Sequence, residues 1–168
     1  ASGPLGKPLP GEDGVARVVF EHDDEGRVKT RSWFDVIEAP VTHQGLGCAK
    51  EALAYDALGL VRARRCLNKE GELTLSPAWG AAEVLTEHDE RGRVVRETWR
   101  DVHAQAMMTR HGCATRVTRY DARGAVISQA SLDAQGRPIF NAEGWAEKRT
   151  MRDLQGRPIR TWTVDTLA

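Results

Sequence analysis

An Asp-x-x-Gly tetrad recurs along the chain at a nearly fixed interval. Its aspartates are Asp23, Asp56, Asp89, Asp121 and Asp153, which stand 33, 33, 32 and 32 residues apart. A period of this length is the signature of a repeat architecture, in which each unit buries its apolar side against its neighbours. The chain is therefore predicted to be a linear array of units rather than a domain built around one central core.

The residues of the tetrad are those that the tip of a β-hairpin requires. Aspartate at the first position of a type I turn accepts a hydrogen bond from the backbone two residues on, and glycine at the fourth takes the left-handed conformation. A type I turn followed by a left-handed glycine is a common connection between antiparallel strands. Each tetrad is therefore predicted to be a hairpin tip, with metal binding or catalysis by the aspartates as the alternatives.

Other positions keep the same period and mark the limits of the units. A glycine leads each unit, an alanine follows it two residues later, and a valine or proline lies two residues after the turn glycine. An acidic or amide residue closes each unit, and in the fourth unit it opens a second tetrad at residues 133–136. The connection 36–44 is predicted to be irregular. One repeat domain spanning 1–168 is predicted, with units at about 6–38, 39–71, 72–104, 105–136 and 137–168.

The second unit taken alone has the composition of a helix. Residues 49–54 and 62–65 are good helix formers, but the tetrad at 56–59 would cut any such helix in half. Segments of about eight residues make marginal helices, whereas the first unit is rich in the β-branched and aromatic residues that strands prefer. The predicted fold class is therefore all-β: a linear, ribbon-like or solenoid-like array of five antiparallel β-hairpin repeats.

Odd and even units differ in sequence. The third unit restates the first, with residues 87–89 matching 21–23, and the fourth restates the second, with 120–122 matching 55–57. The true period is thus about two units, and alternate units are predicted to meet different neighbours. Because the two outer strands of such a sheet have unpaired edges, a homodimer or continuation into a longer chain is also predicted.

Composition excludes two classes of partner. The chain carries 24 basic and 24 acidic side chains, so its net charge is zero and it lacks the electrostatic footprint of a nucleic-acid-binding protein. It also lacks the run of about eighteen apolar residues that a transmembrane helix needs, so no membrane insertion is predicted. No signal peptide is recognised, and residues 1–6 are already in phase with the repeat, as expected for a processed start or a piece of a longer protein.

The three cysteines do not form a recognisable metal site. Cys48 and Cys113 occupy the same position two units apart, and Cys66 falls where Trp33 and Trp99 stand in other units. Three cysteines cannot all pair, and none is spaced as a zinc ligand. We favour the interpretation that they are small buried packing residues, and no cofactor or metal is predicted.

Two of the tetrads carry a motif that resembles a known family. Tyr-Asp-x-x-Gly occurs at residues 55–59 and 120–124, and Asp-x-x-Gly-Arg-Pro occurs at 133–138. These motifs resemble the tyrosine-aspartate (YD, or Rhs-type) repeats of bacterial surface and toxin proteins, and the resemblance extends from Gly6 to Asp165. The repeat here is longer than the usual unit of that family, and three of the five tyrosine positions hold His22, His88 and Arg152. The chain thus resembles a long-period relative.

The candidate binding residues are aromatic or lie beside turn aspartates. Tryptophans with arginines nearby could stack on a sugar or a peptide, and the alternative is that their rings fill space between layers. The two histidines hold a position that is tyrosine in even units, which favours a packing role over a metal pair or a pH-sensitive contact. The candidates are Trp33, Trp99, Trp145, Trp162, His22, His88, Tyr55 and Tyr120.

The predicted function is non-enzymatic. No serine or cysteine stands in a nucleophile motif such as Gly-x-Ser-x-Gly, and the acidic pairs lie on turn tips, so no catalytic residue is assigned. We expect a β-repeat module that binds a protein or glycan, or acts as a scaffold. The alternative is a repeat fragment of a larger secreted toxin-type or cell-wall-acting protein whose chemistry lies outside this chain. The resemblance implies a bacterial origin and a location outside the cytoplasm or at the cell surface.

Overall fold

The fold is a sheet of consecutive hairpins. The computed structural model describes residues 11 and 14–165, and within them the regular structure is entirely β. Ten strands follow chain order in one antiparallel sheet, so the predicted all-β class with five consecutive hairpins is confirmed. The start of the first predicted unit, residues 6–10, lies outside the described residues. The strands are β1 (Arg17–His22), β2 (Val28–Phe34), β3 (Lys50–Tyr55), β4 (Val61–Leu67), β5 (Glu83–His88), β6 (Val94–Arg100), β7 (Thr115–Tyr120), β8 (Val126–Leu132), β9 (Glu147–Arg152) and β10 (Pro158–Val164).

Each tetrad forms the tip that its residues predict. At the fourth tip, the Gly124 N–H donates to the Asp121 carbonyl at 3.0 Å, and the Asp121 N–H donates to the Ala125 carbonyl at 2.9 Å. The Oδ1 atom of Asp121 accepts from the N–H groups of Arg123 and Ala125, both at 2.9 Å. Gly124 lies at φ +88°, in the left-handed region that glycine enters without strain. The same backbone and side-chain bonds recur at the other four tips.

A one-residue bulge follows from this geometry and sets the register of the hairpins. In the second hairpin the pairing shifts between Ala54 and Tyr55, so that Tyr55 pairs with Val61. Because side chains alternate between the faces of a sheet, a slip of one residue would turn a strand inside out, and the bulge prevents that slip. The segment of the second unit with helical composition forms β3 and β4, as the alignment of the units predicts.

A second turn closes each of the first four hairpins, and the sequence predicts it only in the fourth. Asp35 accepts the N–H groups of Ile37 and Ala39 at Oδ1, as the first residue of each tip does. The left-handed residue of this turn is Glu38 in the first unit and Ala104 in the third, in place of glycine. The connection 36–44 contains no strand or helix, as predicted, but it begins with this ordered turn. Hydrogen bonds to the Asp35 side chain outweigh the strain of the left-handed residue Glu38. These closing turns begin at Asp35, Asn68, Asp101 and Asp133.

Apart from its five repeat units, the chain divides into two compact parts. The N-terminal part holds residues up to Val84 together with Asp101–His103. Its core is formed by Trp33, Cys48 and Cys66, with Leu46 and Trp79 among the side chains packed on it. Cys48 and Cys66 form a disulfide whose Cα atoms are 5.2 Å apart. Both cysteines are fully buried, as predicted, but the expectation that they only fill space is wrong, because the hairpin fold brings their side chains together.

The C-terminal compact part holds Leu85–Arg100 and the residues from Ala104 onward. Trp99 and Trp145 are buried in it, as are Cys113 and Ser131. Cys113 and Ser131 occupy the repeat positions of Cys48 and Cys66, so this hairpin has one thiol where the other has a disulfide. Burial raises the pKa of the Cys113 thiol, which keeps it protonated and suits a packing role.

Replacing Asp121 by alanine removes the acceptor of two backbone N–H groups, and we expect the urea concentration at the midpoint of unfolding to fall measurably. Asp121→Asn keeps an acceptor oxygen and should lose less than half as much. Urea unfolding followed by circular dichroism measures both variants. Equal losses, or no loss in either, would contradict the role of this side chain in the tip.

Candidate functional site

The tyrosines of the Tyr-Asp motifs join one hairpin to the hairpin before it. The Tyr55 hydroxyl donates to the backbone carbonyl of Val28 at 2.7 Å, which connects β3 to β2. The Tyr120 hydroxyl likewise donates to the Val94 carbonyl at 2.9 Å, which connects β7 to β6. Tyrosine suits this position because its ring is apolar and its tip needs a hydrogen-bond partner once it is partly buried.

An arginine from the preceding tip stacks on each tyrosine ring. The guanidinium of Arg27 lies 4.7 Å from the ring centroid of Tyr55, within cation–π range, and its Nε donates to Oδ2 of Asp23 at 2.7 Å. Aspartate, arginine and tyrosine thus form one interlocked group, which we call a clasp. The second clasp consists of Asp89, Arg93 and Tyr120, with the same two distances.

The clasps explain why odd and even units differ. The residue after the turn glycine is arginine in odd units, at Arg27 and Arg93, and apolar in even units, at Leu60 and Ala125. Odd units therefore supply the Asp–Arg half of a clasp and even units supply the tyrosine. The prediction that alternate units contact different neighbours fits this division, and the arginine after each odd glycine was the sequence signal for it.

In the fifth hairpin an arginine does the work of the tyrosine. Arg152 occupies the tyrosine position, and its guanidinium donates to the Gly156 carbonyl at 3.0 Å and to the Val126 carbonyl at 3.4 Å. The carbonyl of Val126 stands at the repeat position of Val28 and Val94. The same backbone acceptor is thus used at three places, by two kinds of side chain.

The clasps change the acidity of their aspartates. Hydrogen bonds from the Arg93 side chain and backbone, which outweigh the opposing effect of burial, lower the pKa of Asp89 to about 2. The turn glycine after Asp121 is followed by Ala125 instead of an arginine. Here the hydrogen bond from the backbone N–H of Ala125 is the main cause of the lowered pKa of Asp121. Both carboxylates are therefore ionised at neutral pH and act as hydrogen-bond acceptors.

A buried carboxylate of β3 lies between two arginines. Glu51 is 1% exposed, and its Oε2 accepts from Arg31 Nε at 3.0 Å and from Arg31 Nη2. Its Oε1 lies 3.0 Å from Arg64 Nε, close enough for an ion pair but not aligned as a hydrogen bond. The two arginines stack on Trp33 and Trp79, with 5.7 and 5.2 Å between guanidinium and ring centroid. A buried charge needs such partners, because desolvation alone would disfavour it.

Two further buried carboxylates are held in the same way. Arg65 Nε donates to Glu83 at 2.6 Å. Glu147, the first residue of β9, accepts from Ser128 Oγ at 2.6 Å and from Arg149 Nε at 3.0 Å. The Arg149 guanidinium is the main cause of the lowered pKa of Glu147. Sequence reasoning missed all three carboxylates, because nothing in their spacing shows that they are buried.

The predicted binding residues lie in different settings. Trp33, Trp99 and Trp145 are buried, so a ligand could reach their rings only by displacing what covers them. Tyr55 and Tyr120 belong to the clasps. His22 is exposed and His88 is half-buried. Binding by any of these residues stays a prediction.

Trp162 is the candidate tryptophan that remains open to solvent. Its half-buried indole lines a groove of about 520 Å³ between the fourth and fifth hairpins, with Ile127, Met151 and Leu154. The guanidinium of Arg160 lies 5.7 Å from the centre of the indole. The groove is thus lined by both apolar and charged side chains.

In the described part of the chain, no three His, Cys, Asp or Glu side chains come together as metal ligands. None of the described residues belongs to a helix long and apolar enough to cross a membrane. No protein-family model matches this chain, and a search of curated proteins finds no relative.

Acid should weaken the clasp formed by Asp89, Arg93 and Tyr120. The pKa of Asp89 is about 2 in the folded chain and 3.8 ordinarily, so its contribution is complete above pH 4 and is lost as the pH falls through 2. Urea unfolding of Asp89→Asn should show a lower free energy of unfolding at pH 6 and a shallower decline between pH 4 and pH 2 than the unsubstituted chain. Parallel pH profiles for the two proteins would contradict the assignment.

Proposed function

We propose that this chain is a non-enzymatic β-hairpin repeat scaffold that presents its outer surface to a glycan or protein partner. The observation that carries the proposal is the use of its buried acidic groups. Glu51, Glu83 and Glu147 are each bonded to side chains of the hairpins themselves. These bonds link neighbouring strands, which supports a structural role for the three carboxylates.

The repeat is proposed to be a long-period relative of the YD repeats of bacterial surface and toxin proteins. The tyrosine of each Tyr-Asp motif supports this relation, because it performs a function that a repeated motif requires, the joining of successive hairpins. The Cys48–Cys66 disulfide supports a location outside the reducing cytoplasm, since disulfides persist in oxidising compartments.

The groove at Trp162 is the surface proposed for a glycan. Sugars present flat apolar faces edged by hydroxyl groups, and a partly open indole beside charged side chains matches both features. Arg123, Arg152 and Asp153 line the groove and can hydrogen-bond hydroxyl groups, while Ile127 and Met151 supply apolar contact.

A glycan array tests the binding function. The oxidised full chain should retain a defined set of glycans, Trp162→Ala should weaken their binding about tenfold or more, and Trp162→Phe should weaken it less because it keeps an aromatic face. Circular dichroism should show the same fold in all three proteins. The retained glycan should be recovered intact by mass spectrometry. A cleaved or altered glycan would contradict the non-enzymatic function, and binding that survives Trp162→Ala would contradict the site.

The buried carboxylates are tested separately. Glu51→Gln keeps the shape of the side chain but removes its charge, and we expect the free energy of unfolding to fall by about 2 kcal/mol with glycan binding unchanged. The matched control is Glu87→Gln, because Glu87 is an exposed carboxylate 3.7 Å from Arg96 and such pairs contribute less than about 1 kcal/mol. Equal losses in the two variants, or a loss of glycan binding by folded Glu51→Gln, would contradict a purely structural role.

A further inference from the structure

The fifth hairpin carries one half of a clasp. Arg157 Nε donates to Oδ2 of Asp153 at 2.7 Å, the same atoms and distance as in both complete clasps. The arginine side chains of the complete clasps, Arg27 and Arg93, are 34% and 26% exposed, whereas Arg157 is 76% exposed. What covers the first two is the tyrosine ring of the following hairpin.

The acceptor of the missing tyrosine is also in place. The carbonyls of Val28 and Val94 accept the tyrosine hydroxyls of the two complete clasps. Pro158 stands at the same repeat position, at the start of β10. Its carbonyl keeps full acceptor capacity, because proline lacks only the N–H donor.

The outer side of β10 can accept another strand. β10 is last in the strand order and pairs with β9 on its inner side. The model for such pairing is the β6–β7 interface, where β6 residues 96, 97 and 98 pair with β7 residues 117, 116 and 115. The equivalent residues of β10 are Arg160, Thr161 and Trp162. An added strand in this register would bring its last residue over Arg157, as β7 brings Tyr120 over Arg93.

We propose that the outer edge of β10 binds a strand of the Tyr-Asp type, whose tyrosine stacks on Arg157 and donates its hydroxyl to the Pro158 carbonyl. The proposal rests on the scaffold function and names its partner: a further hairpin of the even kind. The evidence is continuity with the β2–β3 and β6–β7 interfaces, which use the same groups. A second copy of this chain fits less well, because its first strand carries His22 at the tyrosine position.

The first test uses a labelled peptide of residues 114–132, which carries Tyr120, and the full chain, with binding measured by fluorescence anisotropy. Peptide Tyr120→Phe should bind about fivefold more weakly, the value of one neutral hydrogen bond, and Tyr120→Ala more weakly still. Chain Arg157→Ala should lower the affinity about fivefold or more. The matched control is Arg137→Ala, since Arg137 is 73% exposed and pairs with Asp133 in the same way but lies outside the tyrosine position.

A second measurement covers a peptide that does not fold by itself. Residues 102–133 are fused after Asp165, which reproduces the spacing between β6 and β7. The melting temperature should be higher with tyrosine than with alanine at the copied Tyr120 position, and Arg157→Ala should reduce the difference, because the bond from the hydroxyl to the Pro158 carbonyl remains.

Equal affinities for the three peptides together with equal melting temperatures for the two fusions would overturn the proposal. So would an effect of Arg137→Ala as large as that of Arg157→Ala. Sedimentation that shows a dimer abolished by Arg157→Ala, with no competition from the peptide, would replace the proposed partner with a second copy of this chain. None of these results bears on glycan binding at Trp162, so a failure here is distinguishable from a failure of the proposed function.

Discussion

The side chain of the turn aspartate is the group on which the rest of this structure depends. One of its oxygens accepts two backbone N–H groups at the tip, which selects the turn, the left-handed glycine and the bulge. The bulge in turn sets the register of each hairpin, and so decides which side chains face which side of the sheet. In odd units the second oxygen binds an arginine, so the same carboxylate orders the tip and begins the contact with the next hairpin.

Several contacts between hairpins are polar, and the composition helps to explain this. The chain has few large aromatic residues, and small residues such as Ala49, Ala82 and Ala114 occupy much of its buried surface. Arginine stems and guanidinium planes cover the aromatic rings, while carboxylates neutralise the arginines. Such networks stabilise only when every member has a partner, because an unpaired buried charge costs several kcal/mol.

This division of labour bears on function. The acidic and aromatic residues that first attract notice in the sequence are largely engaged within the ribbon. Among the described residues, the two surfaces proposed for a partner are the groove at Trp162, which the fourth and fifth hairpins line, and the outer edge of β10.

The sequence by itself determined the all-β fold, the hairpin tips and the strands of the second unit. It could do so because these features depend on backbone conformations that aspartate and glycine impose within a few residues. It did not show the closing turns at Glu38 and Ala104, where a side-chain hydrogen bond replaces the usual glycine. The Cys48–Cys66 disulfide, the clasps and the burial of Glu51 were decided only by the tertiary structure. The disulfide, the Arg31–Glu51 bond and the contacts of Tyr55 with Val28 and Arg27 join residues 18 to 28 positions apart. Such contacts depend on the register between strands rather than on local sequence.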